Sequence, residues 1–125
     1  MVTIFQERSC SYADRTLQCY KAMIAALRYV AWRNGYALAV HGSLKTDIDL
    51  VAIPWRDGAV AADELAEEVR LTAERIIGTA RIRERDKNPE AKPNGRLIWL
   101  FYLQPQGVEG PYIDLSVMPR IGNEL

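Results

Sequence analysis

The chain has one histidine and two cysteines, no excess of either charge, and no long apolar run. Each shortage excludes something. Cys10 and Cys19 cannot by themselves build a metal cage or a disulfide framework. The N-terminus, from Met1 to Arg8, lacks the uninterrupted apolar stretch of an export signal, because Glu7 and Arg8 arrive too soon. The cysteines therefore read as reduced thiols and the chain as cytoplasmic. No segment approaches the roughly 20 apolar residues that span a bilayer, so no membrane partner is expected. Lys+Arg and Asp+Glu both count 16, so net charge does not indicate nucleic acid. A local basic patch is still compatible with a zero sum.

What is present fits an ordinary globular domain. The 125 residues, 49% hydrophobic and 26% charged, are enough for one domain with a real core, read here as residues 1–125. There is no internal repeat, low-complexity tract or interdomain linker.

Residues 11–33 carry Leu17, Tyr20, Ile24, Leu27 and Ala31 at helical spacing, with Asn34-Gly35 as a stop. Residues 36–40 are short and apolar and read as a buried strand ending at His41-Gly42-Ser43. Residues 47–53 read as a second strand, closed by Pro54. A second helix is expected over residues 61–77, with Leu65, Val69, Ala73 and Ile76 on one side and Gly78 at its end. Arg81, Arg83 and Arg85 alternate with Ile82 and Glu84, which predicts a strand with one basic face. Residues 86–95 read as a loop. Residues 97–103 are apolar at every position and predict a central strand covered on both faces. Residues 112–117 form the last strand. The fold class is α+β: a mixed sheet of about five strands with two main helices.

Residues two apart in a strand share a face, so Asp47 and Asp49 present two carboxylates side by side. Two unit charges about 4 Å apart repel by roughly 4 kcal/mol at an effective dielectric near 20. Water at an exposed strand end relieves that repulsion, and so does a divalent cation. Mg²⁺, or Mn²⁺ in its place, takes one or two carboxylates and completes its shell with phosphates and water. A haloacid-dehalogenase-type phosphatase needs an apolar strand running straight into the first aspartate. Here Lys45-Thr46 precedes it, and that reading is set aside.

The run Val40-His41-Gly42-Ser43-Leu44-Lys45-Thr46-Asp47-Ile48-Asp49-Leu50-Val51 resembles the signature of the polymerase-β-like nucleotidyltransferase superfamily. That signature is an apolar strand, Gly-Ser, a connector, and Asp-x-Asp in a second strand. The resemblance implies a nucleotidyltransferase-like fold and transfer of a nucleotidyl group from an NTP to an acceptor hydroxyl. It implies that Gly42 and Ser43 contact phosphate and that Asp47 and Asp49 bind metal. A later acid completes such a site, and Asp114, centred in an apolar strand where a carboxylate is costly, is the matching residue. Lys45 lies in the connector, within reach of a phosphate. That connector, Leu44-Lys45-Thr46, is shorter than the family's usual one. A catalytically silent member, acting as a protein-binding or regulatory module, is therefore the alternative. Larger members add a domain for the acceptor, so a partner protein or a homo-oligomer is expected to complete this site. The His41-Gly42-Ser43-Leu44, Asp47-Ile48-Asp49-Leu50 and Pro54-Trp55 segments also resemble a run in small phage and prophage proteins.

His41 can bind phosphate, shuttle a proton, or simply hydrogen-bond at a strand end. Arg81, Arg83 and Arg85 can hold a triphosphate or form a charged edge that blocks aggregation. Trp32, Trp55 and Trp99 read as core or partly buried. Trp55, in the loop after Pro54 and read as lying beside the site, is the one suited to stack on a base.

Overall fold

The computed structural model describes residues 17–44 and 47–120. Its elements are α1 (Leu17–Arg33), β1 (Tyr36–Val40), β2 (Ile48–Pro54), α2 (Ala62–Ile77), β3 (Glu90–Ala91), β4 (Leu97–Tyr102) and β5 (Tyr112–Val117). The five strands form one mixed sheet in the order β1-β2-β5-β4-β3. The β2–β5 pair is parallel; the others are antiparallel. This is the expected α+β class.

The helices form where the apolar period is 3.6. In α1, Met23, Ile24, Leu27, Val30 and Ala31 are buried; in α2, Leu65, Ala66, Val69, Ala73, Ile76 and Ile77 are. Both pack on one face of the sheet, against Leu38, Ile48, Leu50, Ala52, Trp99, Phe101, Ile113, Leu115 and Val117. The turn after α1 is fixed by Gly35, which holds φ +94°. A Cβ there would sit 2.6 Å from the Ala59 Cα, so only glycine fits. The Gly35 carbonyl accepts from the Trp55 amide at 2.9 Å, and Asn34 accepts from Val60 at 3.1 Å. The end of α1 is thereby stitched to the β2–α2 loop.

The other face of the sheet has no helix on it among the described residues. It carries the alternate positions: exposed Ala37, Ala39 and Ile53, and half-buried Val51, Ile98 and Leu100. Among the described residues, the strand expected over residues 97–103 is thus covered by helices on one face and not on two.

A second correction concerns residues 81–85. Arg81 makes a single antiparallel bridge to Tyr102, and residues 84–86 then turn as a short 3-10 helix. The third strand is instead Glu90–Ala91, inside the stretch read as a loop. The free edge of β4 explains both. Arg81 takes its end at Tyr102, while Glu90 and Ala91 take its beginning at Ile98 and Leu97. The residues between swing away from the sheet.

A carboxylate pair on the open face of the sheet

The parallel β2–β5 ladder decides where the acids go. Asp49 and Asp114 are direct partners in its register, flanked by Ile48–Ile113 and Leu50–Leu115. Since Ile48, Leu50, Ile113 and Leu115 face the helices, the pleat turns both aspartates to the open face. Two sequence-predicted acids, 65 positions apart in sequence, thus stand side by side at the centre of the sheet (114 − 49).

Asp47 lies one pleat earlier, on the same face as Asp49. Its carboxylate lies close enough to act on the Tyr112 side chain, two positions before Asp114. Burial first, and then the negative charge of Asp47, pushes the Tyr112 phenol above its ordinary value. The Asp114 carboxyl is also raised, by burial, then by Asp49 and Asp47; Arg96 opposes this and Glu90 adds to it. Among the described residues, no three His, Cys, Asp or Glu side chains are gathered tightly enough to hold a metal ion. The arrangement is a facing pair with a third acid one pleat away.

Asp49 and Asp114 line a hollow of about 180 Å³ together with His41, Arg96 and Ser116. His41 continues the β1–β2 ladder one step, its amide donating to the Asp49 carbonyl at 2.7 Å. Arg96 enters from the β3–β4 turn, and its Nη1 donates to the Ser116 Oγ at 3.0 Å. Ser116 follows Asp114 by two residues and so shares its face. One guanidinium therefore sits beside the acid pair, with His41 lining the same hollow.

Gly42 follows His41 at φ +127°. A Cβ built there would lie 3.2 Å from the Asp49 Oδ2, so the backbone runs close over that carboxylate. Ser43 is exposed just beyond it, and Leu44 takes the left-handed conformation at φ +63°. A left-handed leucine costs of order 1 kcal/mol. Lys45, the other expected phosphate contact, lies outside the described residues.

The row of arginines sits elsewhere. Arg81 Nε donates to the Gln104 carbonyl at 2.7 Å, and the Arg83 guanidinium lies 3.9 Å from the Tyr102 ring centroid. Tyr102 in turn packs on Tyr112, 5.3 Å between centroids, and that ring borders the acids. Trp99 is buried as expected, whereas Trp32 and Trp55 are exposed. Trp55 also stands at the far end of β2 from the acids and not beside them. Period-two spacing could have flagged Tyr112 and Ser116 around Asp114. Nothing local in the sequence points to Arg96, which arrives through the β3–β4 turn.

The donor set suits a hard divalent cation. It offers carboxylate oxygens on two adjacent strands, with the His41 imidazole and Ser116 hydroxyl lining the same hollow. The Asp114 carboxyl is raised first by burial and then by Asp49 and Asp47, and a cation here would offset the part due to those two acids.

No protein-family model matches the chain, and no curated protein does.

Proposed function

We propose that the chain is a metal-dependent nucleotidyltransferase that moves a nucleotidyl group from an NTP to an acceptor hydroxyl. The observation that carries this reading is the Asp49–Asp114 pair, held in register on an open sheet face with Gly42 against it. Asp49 and Asp114, with Asp47 beside them, would hold Mg²⁺ or Mn²⁺. The ion would neutralise phosphate oxygens and ease departure of pyrophosphate.

The chain's own groups divide the remaining work. Gly42 leaves its backbone bare where a phosphate would approach, and the exposed Ser43 hydroxyl can hydrogen-bond to it. Arg96 adds a fixed positive charge on the same side. Asp114 helps activate the acceptor hydroxyl, whose proton leaves as the new P–O bond forms. The α–β phosphoanhydride then breaks and pyrophosphate departs. A partner protein or a second copy of the chain would bring the acceptor.

The test is pyrophosphate release from each NTP with Mg²⁺ or Mn²⁺ and a panel of hydroxyl acceptors. Wild type should release it, and Asp49→Asn and Asp114→Asn should not. Activity retained in both variants would overturn the assigned site.

A second reading, a catalytically silent protein-binding or regulatory module, is favoured by two observations. The described acids make no ready three-ligand cluster, and the connector is short with a left-handed Leu44. It predicts no metal response in wild type and a stable complex with another protein.

A further inference from the structure

Three large aromatic side chains stand in the open at the end of the molecule opposite the acids. Tyr29 is 59% exposed, Trp32 58% and Trp55 49%. Asp49 and Trp55 are six positions apart, along β2 and one residue past its end. At roughly 3.3 Å per residue this places the two sites about 20 Å apart. The aromatics are organised: the Trp32 and Trp55 rings stack 6.2 Å apart at an interplanar angle of 20°. Arginines lie on them, with the Arg56 guanidinium 5.4 Å from the Trp55 centroid and that of Arg33 5.6 Å from the Tyr29 centroid.

The placement is rigid. Tyr29, Trp32 and Arg33 share one side of α1 through their three- and four-residue spacing. The Trp55 backbone is held by its N–H, which donates to the Gly35 carbonyl. Arg56 Nη2 donates to the Arg33 carbonyl at 3.0 Å, tying the loop to the helix end. Next to Tyr29, a groove of about 360 Å³ between α1 and α2 is walled by Arg33, Arg75 and Ile76.

We propose that this surface is a stacking platform for single-stranded nucleic acid. Bases stack on exposed aromatic and guanidinium planes whatever their sequence, while arginines neutralise the backbone. Local charge agrees, since Arg33, Arg56 and Arg75 outnumber Asp57 and Glu68, the latter 3.6 Å from Arg33. A protein partner fits less well. The centre of a protein interface is depleted of charge, and here an arginine lies over two of the three rings. A second copy docked symmetrically would press two arginine-rich faces together. The proposal is independent of the carboxylate site and survives if that site proves inert.

Trp32 and Trp55 are exposed while Trp99 is buried, so intrinsic fluorescence reports on this surface directly. Titration of the full chain with short poly-dT and poly-rU single strands at low salt should quench it. The affinity should fall steeply as salt rises. Trp32→Ala and Trp55→Ala should each weaken binding by about tenfold. Arg56→Gln should lower the salt slope by about one. All three variants should keep the wild-type circular dichroism, and Arg56→Gln alone should lower the melting temperature slightly through loss of its bond to the Arg33 carbonyl. Absence of binding by fluorescence and by anisotropy of a labelled strand would overturn the proposal. So would equal affinity for duplex, or undiminished binding in the Trp32→Ala/Trp55→Ala double variant. Self-association of wild type in sedimentation, abolished by Trp32→Ala, with no strand bound, would assign the face to a second copy instead.

Discussion

Gly42 and Asp49 are in contact distance: any side-chain carbon at position 42 would stand 3.2 Å from the Asp49 Oδ2. Position 42 also holds φ +127°, a conformation that other residues rarely adopt. Gly42→Ala therefore faces backbone strain of about 1–3 kcal/mol and presses on a site carboxylate. The expected result is a lower melting temperature together with loss of the metal response. A variant of unchanged stability and unchanged metal response would show that the turn is not built around glycine.

Asp49 and Asp114 face each other in register, so each carboxylate charge raises the cost of the other. In chelator, Asp49→Asn and Asp114→Asn should each melt higher than wild type, since either removes one charge of the pair. Adding Mn²⁺ should stabilise wild type, by about 2.7 kcal/mol at 100 times the dissociation constant, and leave both variants unmoved. Variants that melt lower in chelator would mean that the two carboxylates are compensated by other groups.

Tyr36 is fully buried at the start of β1, and its hydroxyl donates to the Val60 carbonyl at 2.7 Å. Tyr36→Phe leaves that carbonyl without this donor and should cost about 1 kcal/mol at neutral pH. Burial also raises the phenol above its ordinary 10.0, with Arg120 opposing. The folded state thus holds this proton more tightly than the unfolded chain does. The stabilisation is complete below about pH 10 and is lost as pH rises through the folded value. Denaturation monitored from pH 8 to 11 should show a shallower alkaline loss in Tyr36→Phe than in wild type.

Arg70 makes a fork with Glu67, at 3.0 and 2.7 Å, reaches Glu74 at 3.2 Å, and donates to the Ala80 carbonyl at 3.1 Å. It fastens α2 to the segment leading to Arg81. Exposed ion pairs contribute little, so the bond to Ala80 should dominate. Arg70→Ala is expected to lower stability by about 1–2 kcal/mol. Hydrogen exchange should quicken at the Arg81 amide, which donates to Tyr102, before it quickens in β2 or β5.

Much of this was legible in the sequence because it depends on local period. Apolar residues three or four apart gave the helices, and Asn34-Gly35 and Gly78 marked their ends. Asp47 and Asp49 had to share a face once β2 was a strand. That Asp114 stands opposite Asp49, with Asp47 one pleat away and not closing a tight triad, depends on strand order and register. Nothing in the neighbourhood of either residue encodes those. The alternation at 81–85 misled because it has no apolar face to bury: Ile82 is 37% exposed. The strand that does form at 90–91 is short and polar-flanked, set by the vacant half of an edge. Trp32 and Trp55 read as partly buried because tryptophan usually is; exposure of both is a feature that only the packing of α1 against the β2–α2 loop determines.

The position of β5 has a consequence for synthesis. The last described strand fills the middle of the sheet, between β2 and β4, which precede it in the chain. While the chain is still emerging from the ribosome, β2 and β4 can neither meet nor complete their hydrogen bonding, and contacts this distant in sequence form late. Asp49 and Asp114 become neighbours only when that strand inserts. A nascent or truncated chain ending before Tyr112 would therefore carry Asp49 without its partner in the pair.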